Sequence, residues 1–512
     1  MNNTAINFLY ETVKKFPEKP CIVDKKELLS FHQFFSKAAA VASILKQAGM
    51  MNQPVLIFLP KSASAVISFA GVLMSGNFYV PVDIKAPLAR LRKILEHLAP
   101  ILVITRREYH KAIHDLSIPN EKILFLEDAL KNAKNYSISE LIAYNKATSD
   151  QIIDLDPCYV MHTSGSTGVP KGVVISHRGV IDYINWAATL FDINEKEIIG
   201  NQAPLFFDNS TLDIYLSWAT GALVHLIPEE ILLFPAKLIE YLENHQITLI
   251  FFVPSLLVNI SKLNLLSPGR LPFLKKIIFA GEVMPTKHLA YWQRNLPGRF
   301  YANLYGPTEI AVDCTYFIVD RIYEQNENLP IGFPRNNSGI IILNKNNEIA
   351  DLNEIGEICV RGSSLALGYW NDKATTKKVF VQNPTQKKYS DIIYRTGDLA
   401  YKNERGEIMF VGRLDSQIKH MGYRIELGEI EAAALTVPAI ISCCVLYNEK
   451  KQEITLFYEA KKQMPSAELR KKLVQNLPSY MLPRKIYYLK NMPLNPAGKI
   501  DKKFLRNKFF KD

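Results

Sequence analysis

The chain has 512 residues, too many for one ordinary domain, and 48% of them are hydrophobic, which is enough to bury a large core. Its formal net charge of +11 comes from lysines and arginines spread along the chain apart from a basic tail, which favours a solvated surface over a nucleic-acid site. The 6 cysteines include no CxxC pair, which argues against a disulfide or zinc framework and is typical of reduced thiols in a cytosol.

The chain shows no targeting or membrane signal. Its first residues mix charges into their apolar positions and lack the apolar run of a secretory signal. The longest apolar stretch, Ile247–Ile260, is too short to span a bilayer and contains Pro254. We therefore predict a cytoplasmic protein without a membrane span.

Short apolar strands alternate with amphipathic helices along most of the chain. Val55–Pro60 has the pattern of a buried strand, Ser64–Gly76 that of a helix closed by its glycine, and Phe78–Asp83 that of the next strand. Such alternation predicts an α/β fold in which parallel sheets are covered by helices.

The pattern changes from about Leu329. Short strands separated by glycine and asparagine turns predict a small antiparallel β subdomain over about 329–414. After Asp415, helices and strands followed by a basic tail predict a separate α+β domain. The expected organisation is a large N-terminal core, 1–414, and a small C-terminal domain, 415–512.

The segment Tyr159–His177 carries the strongest local signal. Its hydroxyl groups can hold phosphate oxygens, its glycines let backbone N–H groups approach an anion closely, and its lysine adds positive charge. These residues are Thr163, Ser164, Gly165, Ser166, Thr167, Gly168 and Lys171. The segment is not a Walker loop, because GxxxxGK[ST] is absent, and a generic glycine–serine turn is a poor explanation for so dense a run.

This loop resembles the signature loop of the adenylate-forming superfamily, which contains acyl-CoA synthetases, luciferases and the adenylation domains of nonribosomal peptide synthetases. Later segments resemble that superfamily's motifs in the same order: Phe207–Tyr215, Asn303–Glu309, Gly356–Asn371, Tyr394–Asp398, Gly412–Glu431, Leu477–Pro483 and Asn495–Asp501. The resemblance covers essentially the whole chain. It implies an acetyl-CoA synthetase-like or luciferase-like fold with a mobile C-terminal domain.

The resemblance implies that ATP and Mg²⁺ are bound. Thr163–Lys171 would hold the departing phosphates, Thr308 would touch the α-phosphate, and Glu309 is similar to the glutamate that ligates magnesium. Lys499 resembles the lysine that reaches both the substrate carboxylate and the α-phosphate, where an ammonium offsets the repulsion of two anions. The chain departs from the family here, because Ala497 stands where an asparagine is frequent.

The nucleoside would be held by a second group of residues. Tyr305 is expected against the adenine, in a segment that also contributes Asn303 and Gly306. Asp398 resembles the aspartate that accepts the ribose hydroxyls, and Arg413 would help to hold the ribose or a phosphate. Taken alone, either Asp398 or Arg413 would be interpreted as half of a surface ion pair.

A second reaction step follows from the same resemblance. Asp415 is similar to the hinge residue about which the C-terminal domain rotates, and Lys419 with Gly422–Glu426 would then face the active site for thioester formation. The family frequently has an arginine directly before that glycine, where this chain has Met421.

The acid is expected to be an amino acid. Asp208 resembles the aspartate that pairs with the α-amino group, although an aspartate at this place could also cap the following helix. The other pocket positions carried over from the family are Asn209, Leu212, Phe251, Ile278, Ala280, Leu304, Val312 and Asp313. Most are apolar, and Phe251 would restrict the volume, so a small amino acid is predicted.

The apolar pocket residues resemble those of stand-alone L-prolyl-AMP ligases, so proline is favoured. The general layout also resembles D-alanine:D-alanyl carrier protein ligases, which tend to have cysteine where this chain has Ala280. Asn209 and Asp313 fit neither apolar pocket and are compatible with a polar side chain or a water. An acyl-CoA synthetase and a non-catalytic nucleotide-binding homologue are the remaining alternatives.

The expected acceptor is the phosphopantetheine thiol of a separate carrier protein, because the chain ends at Asp512, shortly after the last motif. Carriers of this kind are usually acidic, so the basic balance could steer them. Solubility alone explains the same charge equally well.

Overall fold

The structure, a computed structural model, describes residues 3–131, 137–165, 169–323, 327–495 and 500–510. The chain forms two compact units. Unit 1 consists of Met1–Ile84, Leu98–Met161 and Gly172–Leu414, and unit 2 consists of Lys85–His97, His162–Lys171 and Asp415–Asp512.

The helices follow the chain in this order: α1 (Asn7–Lys15), α2 (Phe31–Gln47), α3 (Ala63–Met74), α4 (Leu88–Leu98), α5 (His110–Asp115), α6 (Leu126–Lys131), α7 (Ile138–Ser149), α8 (His177–Leu190), α9 (Asn209–Thr220), α10 (Glu229–Leu232), α11 (Pro235–Asn244), α12 (Pro254–Lys262), α13 (Thr286–Asn295), α14 (Lys373–Val379), α15 (Leu427–Leu435), α16 (Ser466–Leu473) and α17 (Lys502–Phe509).

The strands are β1 (Pro20–Val23), β2 (Leu28–Ser30), β3 (Pro54–Ile57), β4 (Phe78–Pro81), β5 (Leu102–Thr105), β6 (Ile123–Phe125), β7 (Pro157–Thr163), β8 (Lys171–Ser176), β9 (Ile198–Asn201), β10 (Leu223–Leu226), β11 (Leu249–Phe252), β12 (Lys276–Ala280), β13 (Phe300–Tyr305), β14 (Thr315–Ile318), β15 (Phe333–Pro334), β16 (Ser338–Leu343), β17 (Gly356–Gly362), β18 (Gly368–Tyr369), β19 (Phe380–Gln382), β20 (Ile392–Lys402), β21 (Ile408–Arg413), β22 (Gln417–His420), β23 (Tyr423–Glu426), β24 (Ile440–Asn448), β25 (Glu453–Ala460) and β26 (Lys485–Leu489).

Two large sheets form the framework of unit 1. One has the strand order β15-β14-β13-β12-β11-β9-β10-β1-β2 and is parallel from β13 to β1. The other has the order β18-β8-β7-β4-β3-β5-β6 and is parallel from β7 to β6. Parallel strands need helical crossovers, which is why buried helices such as α3 and α9 separate them along the chain.

A smaller antiparallel sheet follows the large ones in unit 1. Strands β16, β17, β20 and β19 are paired in that order, and β21 pairs with β20. This confirms the antiparallel subdomain that the glycine and asparagine turns predict. The predicted α/β class with parallel sheets is confirmed as well.

Local sequence explains where several helices begin and end. Ser30 caps α2 and forms a reciprocal capping box with Gln33, and Ser176 caps α8 by accepting a bond from the backbone N–H of Gly179. Helix α9 ends at Gly221, whose φ of 83° is a left-handed conformation that favours glycine. Helices α8 and α9 carry residues of the candidate site, so these signals help to position them.

The C-terminal residues of unit 2 form a hairpin and a small sheet. Strands β22 and β23 pair as an antiparallel hairpin, and β24-β25-β26 form a three-stranded sheet. Helices α15 and α16 pack on that sheet through a core that contains Ile430, Val445 and Leu469. Over the described residues of both units, no helix combines the length and apolar character needed to cross a membrane.

Candidate active site

One wall of the candidate substrate pocket is built by three adjacent parallel strands. Phe251 of β11 is in register with Ile278 of β12, and Ala280 is in register with Leu304 of β13. Side chains two residues apart on a strand share a face, so these four residues line the same surface of the sheet. All four are buried and belong to one hydrophobic cluster.

Helix α9 adds a residue to this apolar cluster and begins directly after a carboxylate. Leu212 is fully buried in the same cluster as Phe251, while Asp208 and Asn209, at the start of the helix, are half-buried. Asp208 occupies the position before the helix but makes no side-chain capping bond. The structure therefore contradicts the alternative that Asp208 serves as a helix cap.

The Asp208 carboxylate lies near two buried phenols. Burial is the main cause that raises the pKa values of Tyr159 and Tyr183 well above their ordinary value, and the negative charge of Asp208 contributes to both. A carboxylate beside buried aromatic groups is poorly solvated, so it gains more from a cationic partner than it would in open water.

Val312 and Asp313 lie in a turn of unusual backbone. Ala311 and Val312 have φ values of 53° and 78°, which residues with a Cβ atom rarely adopt. The Tyr183 hydroxyl donates to Asp313 Oδ2 at 2.7 Å, and Arg335 Nε donates to the Asp313 backbone carbonyl at 2.9 Å. These bonds hold the turn in its strained conformation.

Arg335 contacts that turn through its buried guanidinium group. Its side chain is fully buried, pairs with Asp182 at 2.6 Å and lies 5.7 Å and 5.8 Å from the ring centres of Tyr183 and Trp186. A buried guanidinium needs such a carboxylate and such hydrogen bonds to offset its desolvation. These contacts join Asp182, Arg335, Tyr183 and Asp313 in one largely buried network.

The predicted nucleoside residues meet at the end of β13 and on the β20–β21 pair. Tyr305 donates its hydroxyl to Asp398 Oδ2 at 2.6 Å, and Arg413 donates to Asp398 Oδ1 at 2.5 Å. Asp398 and Arg413 are directly opposite each other in the antiparallel register. Nearby on β13, Asn303 uses its side chain to donate to the Pro330 carbonyl at 2.8 Å.

Glu309 lies in a short 3-10 turn, Thr308–Ile310, that follows β13. It is buried, and its Oε1 accepts a bond of 2.8 Å from the Tyr369 hydroxyl. Gly306 is required before the turn, because a Cβ there would meet the Val312 carbonyl oxygen at 2.2 Å. One fixed carboxylate fits Mg²⁺, which usually takes one or two carboxylates together with substrate phosphates.

Unit 2 contains the described part of the predicted phosphate loop. Ser164 Oγ donates to the Arg424 backbone carbonyl at 2.8 Å and accepts from the Glu426 backbone N–H at 3.2 Å. A Cβ at Gly165 would lie 2.1 Å from the Val169 carbonyl oxygen, so the close turn needs glycine. Thr163 ends β7 and Lys171 begins β8, both half-buried, whereas residues 166–168 lie outside the described residues.

The residues predicted for the second step also lie in unit 2. Asp415 Oδ1 accepts the Gln417 backbone N–H at 3.1 Å, and Lys419 is in register with Arg424 across the hairpin. Met421 has a φ of 53° in the hairpin turn, a strained value for a residue with a long side chain. Lys499 lies outside the described residues.

Two family models match the chain. The model described as AMP-binding enzyme matches residues 9–370, and the model described as AMP-binding enzyme C-terminal domain matches residues 429–499. The chain belongs to the AMP-binding enzyme family. This confirms the resemblance to adenylate-forming enzymes that the motifs indicate.

Relatives of this AMP-binding enzyme differ in length. It is 32% identical to tyrocidine synthase 1 of Brevibacillus parabrevis over 499 residues, which cover 97% of the chain and 44% of that relative. It is 31% identical to zwittermicin A synthase ZmaJ of Bacillus cereus over 513 residues, covering 98% of the chain and 95% of ZmaJ. The chain thus spans less than half of the first relative and nearly all of the second.

A solved structure shows the same fold. The Vibrio cholerae adenylation domain AlmE, in complex with glycyl-adenosine-5'-phosphate, matches with a TM-score of 0.86 and 22% identity, covering 100% of this chain and 98% of that chain. Because the identity is only 22%, this match shows that the two chains share a fold and nothing more.

Sequence reasoning missed the residues that support the site. Tyr183, Arg335 and Asp182 hold the pocket turn, and Tyr369 bonds Glu309, yet none of the four was singled out. Their partners are distant in the chain; Tyr183 and Asp313, for example, are 130 positions apart. Tyr369 does lie within the motif Gly356–Asn371, so its position was a usable signal.

Proposed function

We propose that the protein activates the carboxylate of a small amino acid with ATP, forming an aminoacyl-AMP and pyrophosphate. It then transfers the aminoacyl group to the phosphopantetheine thiol of a separate carrier protein, as an AMP-forming acid–thiol ligase. Proline is the first candidate substrate. Family membership supports the AMP-forming step, and the amino acid and the carrier protein are parts of the proposal.

The observation that carries the proposal is the position of Asp208. Its carboxylate makes no helix-capping bond and lies near the buried Tyr159 and Tyr183. Leu212, one turn along α9, belongs to the same hydrophobic cluster as the predicted pocket residues Phe251, Ile278, Ala280 and Leu304. In such surroundings a substrate ammonium gives the carboxylate a charge-assisted partner, whereas a fatty or aryl acid gives it none. This favours an amino acid over the substrates of an acyl-CoA synthetase.

The nucleoside would bind at the Asp398 carboxylate. Both of its oxygens already accept bonds, from Tyr305 and Arg413, which fixes their orientation. Each carboxylate oxygen has a second lone pair, so Asp398 can still accept ribose hydroxyl groups. Tyr305 would lie beside the base while its hydroxyl keeps the carboxylate in place.

In the first step the substrate carboxylate attacks the α-phosphate. Bound Mg²⁺ would neutralise charge on the phosphates, and Glu309 would hold it. Thr308 would contact the α-phosphate, while the hydroxyl and N–H groups of Thr163–Lys171 hold the departing pyrophosphate. Lys499 would orient the two reacting anions and reduce their repulsion.

The second step would use a different surface of the C-terminal domain. Asp415 is proposed as the hinge of domain 415–512, and Lys419 with the β22–β23 turn would face the adenylate when the thiol arrives. One site would thus serve two reactions through two arrangements of the chain. The basic surface of the chain would attract an acidic carrier protein.

The deciding experiment is amino-acid-dependent exchange of labelled pyrophosphate into ATP. We would test the 20 L-amino acids (the standard set) with D-alanine, β-alanine, and a series of fatty and aryl acids. Exchange that depends on one small amino acid is the expected result. Exchange with acids that lack an amino group, or with none of the compounds, would refute the proposal. A preference for D-alanine would select the D-alanyl carrier protein ligase alternative.

A further inference from the structure

Unit 2 contains a buried ion pair between residues 339 positions apart in the chain. Arg90 of α4 donates to Glu429 Oε1 in the first turn of α15, and the two side chains are only 9% and 4% exposed. Within the part of the chain that the structure describes, Glu429 Oε2 is buried and has no hydrogen-bond partner, so the bond from Arg90 to Oε1 is the main compensation for this buried carboxylate. Removing either partner would leave a buried charge uncompensated.

Arg90 also lies near the strand that leads into the phosphate loop. Burial is the main cause that lowers the pKa of His162 to about 3, and the positive charges of Arg90 and His97 contribute. His162 therefore stays neutral at physiological pH and does not repel Arg90. Arg90 is thus placed between α15 and the residue that precedes Thr163.

A second contact joins the phosphate loop to the β22–β23 hairpin. Ser164 Oγ donates to the Arg424 carbonyl and accepts from the Glu426 N–H, at 2.8 Å and 3.2 Å. A serine hydroxyl has one proton to donate. While Ser164 donates to Arg424, it has no proton left for a phosphate oxygen.

Side-chain hydrogen bonds cross the β22–β23 hairpin next to the backbone groups that Ser164 binds. Arg424 Nε donates to Gln417 Oε1 at 2.8 Å, and Gln417 Nε2 donates to Glu426 Oε1 at 2.6 Å. These bonds cross the hairpin and fix the pairing of β22 with β23. Lys419, opposite Arg424, therefore takes its position from the same framework.

We propose that Arg90, Glu429 and Ser164 are positioning residues for the thioester step, and that they hold the β22–β23 hairpin against the phosphate loop only after pyrophosphate has left. The inference rests on the proposed two-step function. Ser164 exchanges a phosphate oxygen for the backbone of β23, so the departure of one partner permits the binding of the other. The Arg90–Glu429 pair then secures the arrangement through α15.

The test compares the two half-reactions in the full-length chain. Arg90→Met and Glu429→Gln remove one charge each with little change in volume. With the best amino acid from the exchange assay, pyrophosphate exchange should stay within about twofold, while transfer from the bound adenylate to 4'-phosphopantetheine falls about tenfold or more. The double exchange Arg90→Glu with Glu429→Arg should restore part of the transfer rate.

The matched control is Arg178→Met, which breaks the ion pair of Arg178 with Asp154, whose side chains are 45% and 36% exposed. It should change neither rate. Normal transfer in Arg90→Met and Glu429→Gln would overturn the inference. A parallel fall of exchange, transfer and thermal stability would overturn it too, because the pair would then be a general structural contact.

Hydrogen–deuterium exchange separates this inference from the proposed function, since it needs no amino acid. The Glu426 amide should be protected in the wild-type chain and lose protection in Glu429→Gln or when magnesium pyrophosphate is added. Unchanged protection in Glu429→Gln would refute the positioning role. A wild-type chain that shows this protection but no amino-acid-dependent exchange would refute the proposed function alone.

Discussion

The Tyr183 hydroxyl donates a 2.7 Å hydrogen bond to Asp313 Oδ2 directly behind the strained turn at Val312. Both residues are buried, so the bond is shielded from water. The contact links helix α8 to the turn that carries the predicted pocket residues Val312 and Asp313.

Tyr183→Phe should therefore weaken both stability and substrate binding. Losing the donor to a buried carboxylate should lower the free energy of unfolding by about 1–3 kcal/mol. The amino-acid KM should rise more than the ATP KM, because the turn carries Val312 and Asp313, which are proposed to line the amino-acid pocket. Urea denaturation and exchange kinetics would measure the two effects.

The control for that substitution is Tyr144→Phe, since Tyr144 is 54% exposed and its hydroxyl can bond to water. It should leave stability and both KM values near those of the wild type. An unchanged amino-acid KM in Tyr183→Phe would show that the Asp313 turn does not shape the pocket.

Asp208→Ala should impair amino-acid binding selectively. Removing the carboxylate takes away the proposed partner of the substrate ammonium, so the amino-acid KM should rise about tenfold or more while ATP binding is retained. Steady-state exchange at varied amino acid and varied ATP would separate the two. Asp320→Ala, at an exposed position after β14, is the control. An equal loss of ATP affinity in Asp208→Ala would contradict the assigned role.

Local patterns predicted the elements well because they depend on neighbouring residues. The strand predicted at Val55–Pro60 corresponds to β3 (Pro54–Ile57), and the helix predicted at Ser64–Gly76 to α3 (Ala63–Met74). Alternation and a terminal glycine are sufficient signals for such elements. The motifs likewise placed Tyr305, Asp398 and Arg413, whose side chains are in direct contact.

Contacts between distant segments could not be predicted in this way. Arg335 occurs in a segment rich in proline and asparagine, where an arginine is usually exposed, yet it is fully buried beneath Tyr183. The Arg90–Glu429 pair joins two helices whose own patterns indicate only amphipathic surfaces. Such pairs are determined by tertiary packing, and the local pattern of a single sequence does not indicate which distant residues will meet.

Lys499→Ala should abolish pyrophosphate exchange. The lysine is proposed to stand between the substrate carboxylate and the α-phosphate, where its ammonium offsets the repulsion of these two anions and orients them as they approach. ATP-dependent exchange with the preferred amino acid would measure the loss. Lys503→Ala, at an exposed position of α17, should retain the wild-type rate. Near-normal exchange in Lys499→Ala would make the assignment wrong.

Acidification should destabilise the fold through His177. The backbone N–H of Ala5 donates to His177 Nδ1 at 3.1 Å, which requires the neutral ring, and burial lowers the pKa of His177 from 6.5 to about 4. Between pH 6.5 and pH 4, His177 is protonated in the unfolded chain but stays neutral in the folded chain. The free energy of unfolding should therefore fall as the pH drops from 6.5 to 4, by about 3 kcal/mol at most from this residue.

Urea denaturation at several pH values would measure that slope. His177→Gln can keep an acceptor for the Ala5 N–H but does not titrate, so the free energy of unfolding should depend less on pH in this window. Part of the dependence should remain, because burial also lowers the pKa of His162, to about 3. His114→Gln, at an exposed position of α5, should keep the full wild-type slope. A slope in His177→Gln equal to that of the wild type would mean that His177 is already protonated in the folded chain and that the Ala5 bond does not hold it neutral.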